Sequence, residues 1–359
     1  MTDTAADDRT ETGRKPAYDA VLLVSFGGPD GPDDVLPFLE NVLRGRNVPR
    51  ERMLEVAEHY HHFGGKSPIN EQNRALLSSL RAELDRHGPH LPVYWGNRNW
   101  HPLLTDTLRE MADAGVKRAI AFVTSGFSSY SGCRQYRENI AAACEPLGAR
   151  CPQVDKIRVF FNHPGFVDPM ADNVRAAVGR FPAADRAAVP VLFTAHSIPT
   201  SMADSCRYVA QLRESCRLVA EGAGAGTWEL VFQSRSGPPT QPWLEPDVCD
   251  RIRELAATGH DGVIAAPIGF VSDHMEVLYD LDTEAADLCR SLGVRFERAA
   301  TVGTAPAFVA MIRDLIAERH VGAADRPALG LLPASHDVCP VDCCPAPRRP
   351  AAARPTEAG

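Results

Sequence analysis

Residues 191–199 read VLFTAHSIP and residues 21–29 read VLLVSFGGP. Each is a short apolar run of strand type that stops in a small-residue turn closed by proline. Similar runs recur along the chain (AIAFVTS, ELVFQS, GVIAAPIGF), and helix-length amphipathic segments such as LLTDTLREMADAG and VCDRIRELAATG separate them. Continuous apolar strands alternating with helices predict parallel sheets covered on both faces. A second pair of stretches, 100–127 and 243–270, each reads Trp, helix, Gly, strand and Gly-Phe. Two matches in the same order predict an α/β fold of two similar Rossmann-like, doubly wound halves. The expected division is a disordered start over 1–16, halves over 17–185 and 186–320, and a tail over 321–359. In such folds ligands bind beyond the carboxyl ends of the strands.

Composition narrows the function. The 359 residues are 44% hydrophobic and 23% charged, with 38 basic and 46 acidic side chains and a net charge of −8. That balance argues against a chain-wide nucleic-acid footprint, which needs clustered cations to neutralise phosphates. No apolar run approaches the roughly 20 residues that span a bilayer. The polar, acidic first residues lack the layout of a signal peptide, so a cytoplasmic protein is expected. Ten cysteines in a reducing compartment point to clustered chemistry rather than a disulfide framework.

The unusual residues fall after strands. His196 follows VLFTA, where a structural histidine is the ordinary outcome. The segment GFVSDHMEVLYDLDTE, 269–284, then adds Glu276, Asp280 and Glu284 at i, i+4 and i+8, one acidic face of a helix whose other side is apolar. An acidic face is usually solvated. Aimed into a cleft with a histidine, it suits a divalent cation or a proton path. FGGKSPIN, 63–70, offers a Gly-Gly turn with Ser67, and the densest basic stretch lies nearby: Arg44, Arg46, Arg50, Arg52 and Lys66. An anionic ligand and a merely solvated surface both fit it. GFSSYSGCRQYREN contributes hydroxyls and rings suited to a flat, partly polar ligand.

SFGGP, FGGKSPIN, GNRNW, AHSIP, QSRSGPP with PWLEPD, and GFVSDHMEVLYDLD resemble the ferrochelatase family in the same order, over about residues 17–320. The likeness is greatest to the actinobacterial coproporphyrin ferrochelatases. It implies a porphyrin cleft between the halves and insertion of Fe²⁺ into coproporphyrin III to give iron-coproporphyrin in heme biosynthesis. It also implies that His196 and Glu276 face each other across the porphyrin centre, with Asp280 and Glu284 as an outward metal relay. Porphyrin contacts carry over to Phe26, where some relatives have tyrosine, and to Arg44, Arg46, Tyr60, Ser67 and Tyr136. Action on protoporphyrin IX, a cobalt or nickel tetrapyrrole chelatase and a non-catalytic heme or metal carrier are the rival readings. A monomer, with transient contacts to neighbouring enzymes of the pathway, is the expected state.

CPVDCC, 339–344, sets three thiols within six residues, a pattern for a soft metal or an iron–sulfur cluster. The resemblance implies a two-iron two-sulfur cluster held by Cys339, Cys343, Cys344 and one internal cysteine. Cys151, in the loop GARCPQ, is the expected partner and Cys144 the runner-up, with zinc as the alternative occupant.

Overall fold

Two sheets of identical permuted order carry the chain. The first contains β1 (Ala20–Ser25), β2 (Val93–Asn97), β3 (Arg118–Val123) and β4 (Gln153–Lys156), ordered β2-β1-β3-β4. The second contains β5 (Val191–His196), β6 (Trp228–Gln233), β7 (Gly262–Ala266) and β8 (Arg295–Arg298), ordered β6-β5-β7-β8. This is a computed structural model, and it describes residues 18–45, 48–238 and 240–346. The segment 1–16, Arg46 and the last residues of the tail lie outside the described residues.

Every named strand pair is parallel; β1 and β7 are buried along their whole length and β5 up to its last residue, His196. Their near-continuous Val, Leu, Ile and Ala content follows from that two-sided burial, because helices cover both faces. The repeats seen in the sequence superpose on the topology. Residues 21–29 and 191–199 are the central strands with their turns, so Phe26 and His196 hold equivalent places. The helices Leu104–Asp113 and Val248–Ala257 lead into β3 and β7, and a π-helix follows each of those strands, at Tyr130–Arg134 and Leu278–Ala285.

The helices Pro164–Gly179, Tyr208–Ala223 and Pro306–His320 pack on one another and fill the seam between the sheets. One apolar cluster there takes Leu23 and Phe122 from the first sheet and Phe193 and Ile264 from the second. Phe122 stacks on Phe160 at 5.3 Å, and Phe308 meets Phe160 edge-on at 5.7 Å. Each such buried ring contributes about 1.5–3 kcal/mol by leaving water, so the halves are fastened by their core. Gly65 shows why the FGGK turn needs its glycines. Its φ is +77°, and a Cβ there would lie 2.3 Å from Pro32 Cα.

Beyond His320 the described chain has neither helix nor strand, as the Ala/Pro composition predicts, yet it is docked. Asn162 Nδ2 donates to the Leu329 and Leu332 carbonyls at 3.2 and 2.6 Å, and Leu331 N–H donates to Glu214 at 2.6 Å. Arg158 donates to both oxygens of Glu318 at 2.8 Å and to the Pro327 carbonyl at 3.1 Å, with both side chains of the pair buried. Removing one partner strands the other charge away from water. Glu318→Gln is therefore expected to destabilise the protein by about 3–5 kcal/mol, read as a clear fall in melting temperature; an unchanged melting temperature would show that the pair is dispensable. Among the described residues no helix is long and apolar enough to cross a membrane.

Candidate active site and thiol site

His196 ends β5, and parallel register sets it beside Gln233 at the end of β6. Its Nδ1 lies 2.5 Å from the Ser197 carbonyl, which can only accept, so Nδ1 carries a proton. The opposite nitrogen, Nε2, lies 3.6 Å from Glu276 Oε1. Burial on its own would lower the pKa of His196. The adjacent Glu276 charge outweighs it and lifts the ring to about 9. Burial likewise opposes ionisation of Glu276, but the charge of His196 takes that carboxyl down to about 2. At neutral pH the two form an imidazolium–carboxylate pair.

Glu276 lies in the short helix Met275–Val277, whose first turn is capped by His274 Nδ1 accepting from Glu276 N–H at 3.2 Å. Burial lowers the pKa of His274, which keeps Nδ1 free to accept. The acidic stripe then runs into the π-helix Leu278–Ala285 rather than a continuous α-helix, a geometry frequent at functional sites. Asp280 accepts from Ser234 Oγ and from Gln233 Nε2, the latter at 3.2 Å. The Oε1 of Gln233 is buried without a partner among the described residues, an oxygen free for a cation. Further out, burial and the Asp247 charge raise the pKa of Glu284.

Burial also pushes Asp280 up to about 7 from 3.8, with Glu276 and Glu284 adding to it and Ser234 and Gln233 opposing. A folded carboxyl that binds its proton more tightly than the unfolded chain loses stability as pH rises from 3.8 through 7. Asp280→Asn is expected to gain on the order of 2 kcal/mol at pH 8 and almost nothing at pH 4. Equal thermal shifts at the two pH values would contradict this.

The predicted porphyrin contacts fall into two groups. Phe26, Tyr60 and Phe38 form one aromatic wall, with Phe38 6.3 Å from Phe26 and 5.7 Å from Tyr60. Burial raises the pKa of Tyr60, and the Glu276 charge raises it further, so this wall lies within electrostatic reach of the acidic site in the other half. Arg44 is exposed and bonded to Asn41 at 2.5 Å. Ser67 and Tyr136 are instead buried. Ser67 Oγ packs against Gly28 and accepts from Ile69 N–H, so it fastens two turns. The Arg98 guanidinium covers the Tyr136 ring at 4.5 Å. Arg98 went unassigned in the sequence although it lies in GNRNW. Its guanidinium also lies 5.4 Å from the Phe26 ring, and its Nε is buried without a partner among the described residues. Gln233 and Ser234, within QSRSGPP, were missed in the same way. Their motif was visible, but their direction was not.

A second constellation lies at the tail. Cys133, in the π-helix Tyr130–Arg134, lies near Cys339 and Cys344; those thiols hold it toward thiolate and are themselves pushed up. Cys343 Sγ is 3.7 Å from Cys344 Sγ and 3.8 Å from His336 Nε2. The expectation for Cys151 is corrected: it is disulfide-bonded to Cys144, which removes the runner-up too, and both pack at a separate apolar cluster of the first half. Cys133 lines the same cavity as Cys339 and Cys343. Among the described residues the two non-glycine residues with positive φ are Ser234 at 61° and Cys344 at 52°, one at each site.

The Ferrochelatase family model matches residues 18–320. A protein of Rhodopirellula baltica named ferrochelatase is 62% identical over 91% of this chain and 93% of its own length. Proteins named coproporphyrin III ferrochelatase from Streptomyces griseus and Frankia alni are 55% and 57% identical, covering 92% and 84% of this chain and 94% and 80% of theirs. Among solved structures, the chain is similar in fold to SirB from Bacillus subtilis with Fe³⁺. The TM-score is 0.54 at 10% identity, over 84% of this chain and 96% of that one.

Proposed function

Because the chain belongs to the ferrochelatase family, we propose that it inserts ferrous iron into coproporphyrin III, giving iron-coproporphyrin III for heme biosynthesis. The relatives named for coproporphyrin III support that substrate. The observation that carries the chemistry is the His196–Glu276 pair at 3.6 Å, continued by Asp280 and Glu284. Insertion places a dication in the ring and releases two pyrrole protons, so the site must host cation and protons in turn. Fe²⁺ arriving beside the pair competes with the imidazolium proton. Asp280, poised near 7, is the neighbouring group able to take it up and pass it outward past Glu284. Glu276 then remains a charged acceptor for one pyrrole N–H proton, and the His196 ring, neutral once its proton has left and the cation has moved on, accepts the other. The Phe26–Phe38–Tyr60 wall suits the flat macrocycle, and exposed Arg44 suits a propionate.

Cys133, Cys339, Cys343 and Cys344 fit a two-iron two-sulfur cluster, since it needs four thiolates: Cys343 Sγ is 3.7 Å from Cys344 Sγ and within 4.8 Å of Cys339, and Cys133 lines the same cavity as Cys339 and Cys343. Such a cluster supplies one-electron redox chemistry when bound. His336 beside Cys343 gives zinc a competing ligand set.

The deciding experiment mixes protein, Fe²⁺ and either porphyrin anaerobically and follows the visible bands. Consumption of coproporphyrin III is expected. Persistence of its free-base spectrum while protoporphyrin IX is consumed would overturn the substrate, and no change in either would overturn the enzyme.

A further inference from the structure

A cavity of about 190 Å³ opens beside the thiols, lined by Cys133, Cys339 and Cys343 and also by Arg137, Lys156 and Arg158. Most charges around it are already matched. Arg158 is neutralised by Glu318, Asp155 by Arg118 at 2.5 Å, and Asp337 by Arg326 at 3.0 Å. Arg319 is satisfied by the Asp337 carbonyl and Tyr18, with Asp155 at 3.8 Å, and Arg134 by Glu138 at 2.9 Å. Two cations remain. Lys156 Nζ donates to the Ile157 carbonyl at 2.9 Å, and Arg137 Nε is buried without a partner; neither has an ion-pair partner among the described residues. Both line the cavity together with Cys133, Cys339 and Cys343.

Two ferric ions, two sulfides and four thiolates sum to a net charge of minus two, which two lone cations in the adjoining wall would balance. We propose that Lys156 and Arg137 are the counterions of the cluster and set its reduction potential by their charge. The inference rests on the cluster reading above. One-electron reduction adds a further negative charge. The two cations therefore stabilise the reduced form more than the oxidised one and raise the potential.

The test is a redox titration of the cluster-loaded full chain, followed by visible absorption and by the electron-spin signal of the reduced form. Lys156→Met and Arg137→Met are each expected to disfavour reduction about tenfold, which is 59 mV for a one-electron couple. Lys156→Arg should restore most of the difference. A wild-type protein without iron and sulfide in equal amounts would sink the cluster reading, and this proposal with it. A loaded cluster whose potential stays within about threefold of wild type in both methionine variants would overturn the proposal alone. If Lys156→Met cannot hold a cluster while Lys156→Arg can, the need for the cation is shown directly; if neither holds one, Arg137→Met decides.

Discussion

Glu276→Gln is expected to slow iron insertion by about 10²–10⁴-fold and to drop the His196 ring well below its pKa of about 9. The amide keeps the volume of the carboxylate but removes the charge that holds the imidazolium. Burial, which lowers the ring, is then opposed only by the Ser197 carbonyl and the weaker influence of Asp280. The two effects have separate readouts, steady-state insertion of iron and a ring titration by NMR. A ring that still titrates near 9 would mean that Glu276 is not what charges it. The pH dependence of stability has a defined sign. The raised histidine contributes fully below 6.5 and loses its contribution as pH rises through about 9. The depressed glutamate contributes above 4.5 and loses it as pH falls through about 2. Wild type thus holds the pair's full contribution between 4.5 and 6.5, and the variant should differ most from it there.

Cys133→Ala is expected to abolish the visible absorption of the purified protein and its bound iron and sulfide, whereas Cys151→Ala leaves both intact. The first removes the sulfur that Cys339 and Cys344 both approach; the second removes half of a disulfide packed elsewhere. Three remaining thiols leave one iron short of a ligand. Retention of colour in Cys133→Ala together with its loss in Cys151→Ala would reinstate the loop cysteine. A colourless wild type carrying stoichiometric zinc would replace the cluster by the His336-containing site. Loss of metal should also loosen the segment around Cys339 and Cys343, which Arg134 holds through the Val341 carbonyl at 3.0 Å. Protease cleavage near that segment gives an independent readout.

Much of this was legible in the residues because the signals were local. A run of five or six apolar residues ending in a small-residue turn is a buried parallel strand wherever it occurs. The same arrangement twice, with Trp-helix-strand stretches following each copy, carried the two halves and their shared strand order. His196 and Glu276 were candidates for a similar reason: His196 ends β5 and Glu276 lies in the segment beyond β7, and strand ends in this fold meet at one crevice. Three tail thiols within six residues marked out a candidate for a soft metal without any knowledge of the fold.

What tertiary structure decided were matters of direction and distance. No local pattern separates Cys133 from Cys151, since each lies in a short polar stretch. The choice is made by how the tail docks through Asn162, Arg158 and Arg134, contacts between residues far apart in the chain. Ser67 and Tyr136 carried the right chemical groups for a ligand, but packing turned one beneath Gly28 and covered the other with Arg98. The charge state of His196 was likewise beyond the sequence, because a pKa depends on the distance to a partner and on exclusion of water. The sequence by itself determined which elements form and which residue types gather at the strand ends. Packing determined which atoms face one another there, because side-chain direction is set by neighbours that the linear order does not reveal.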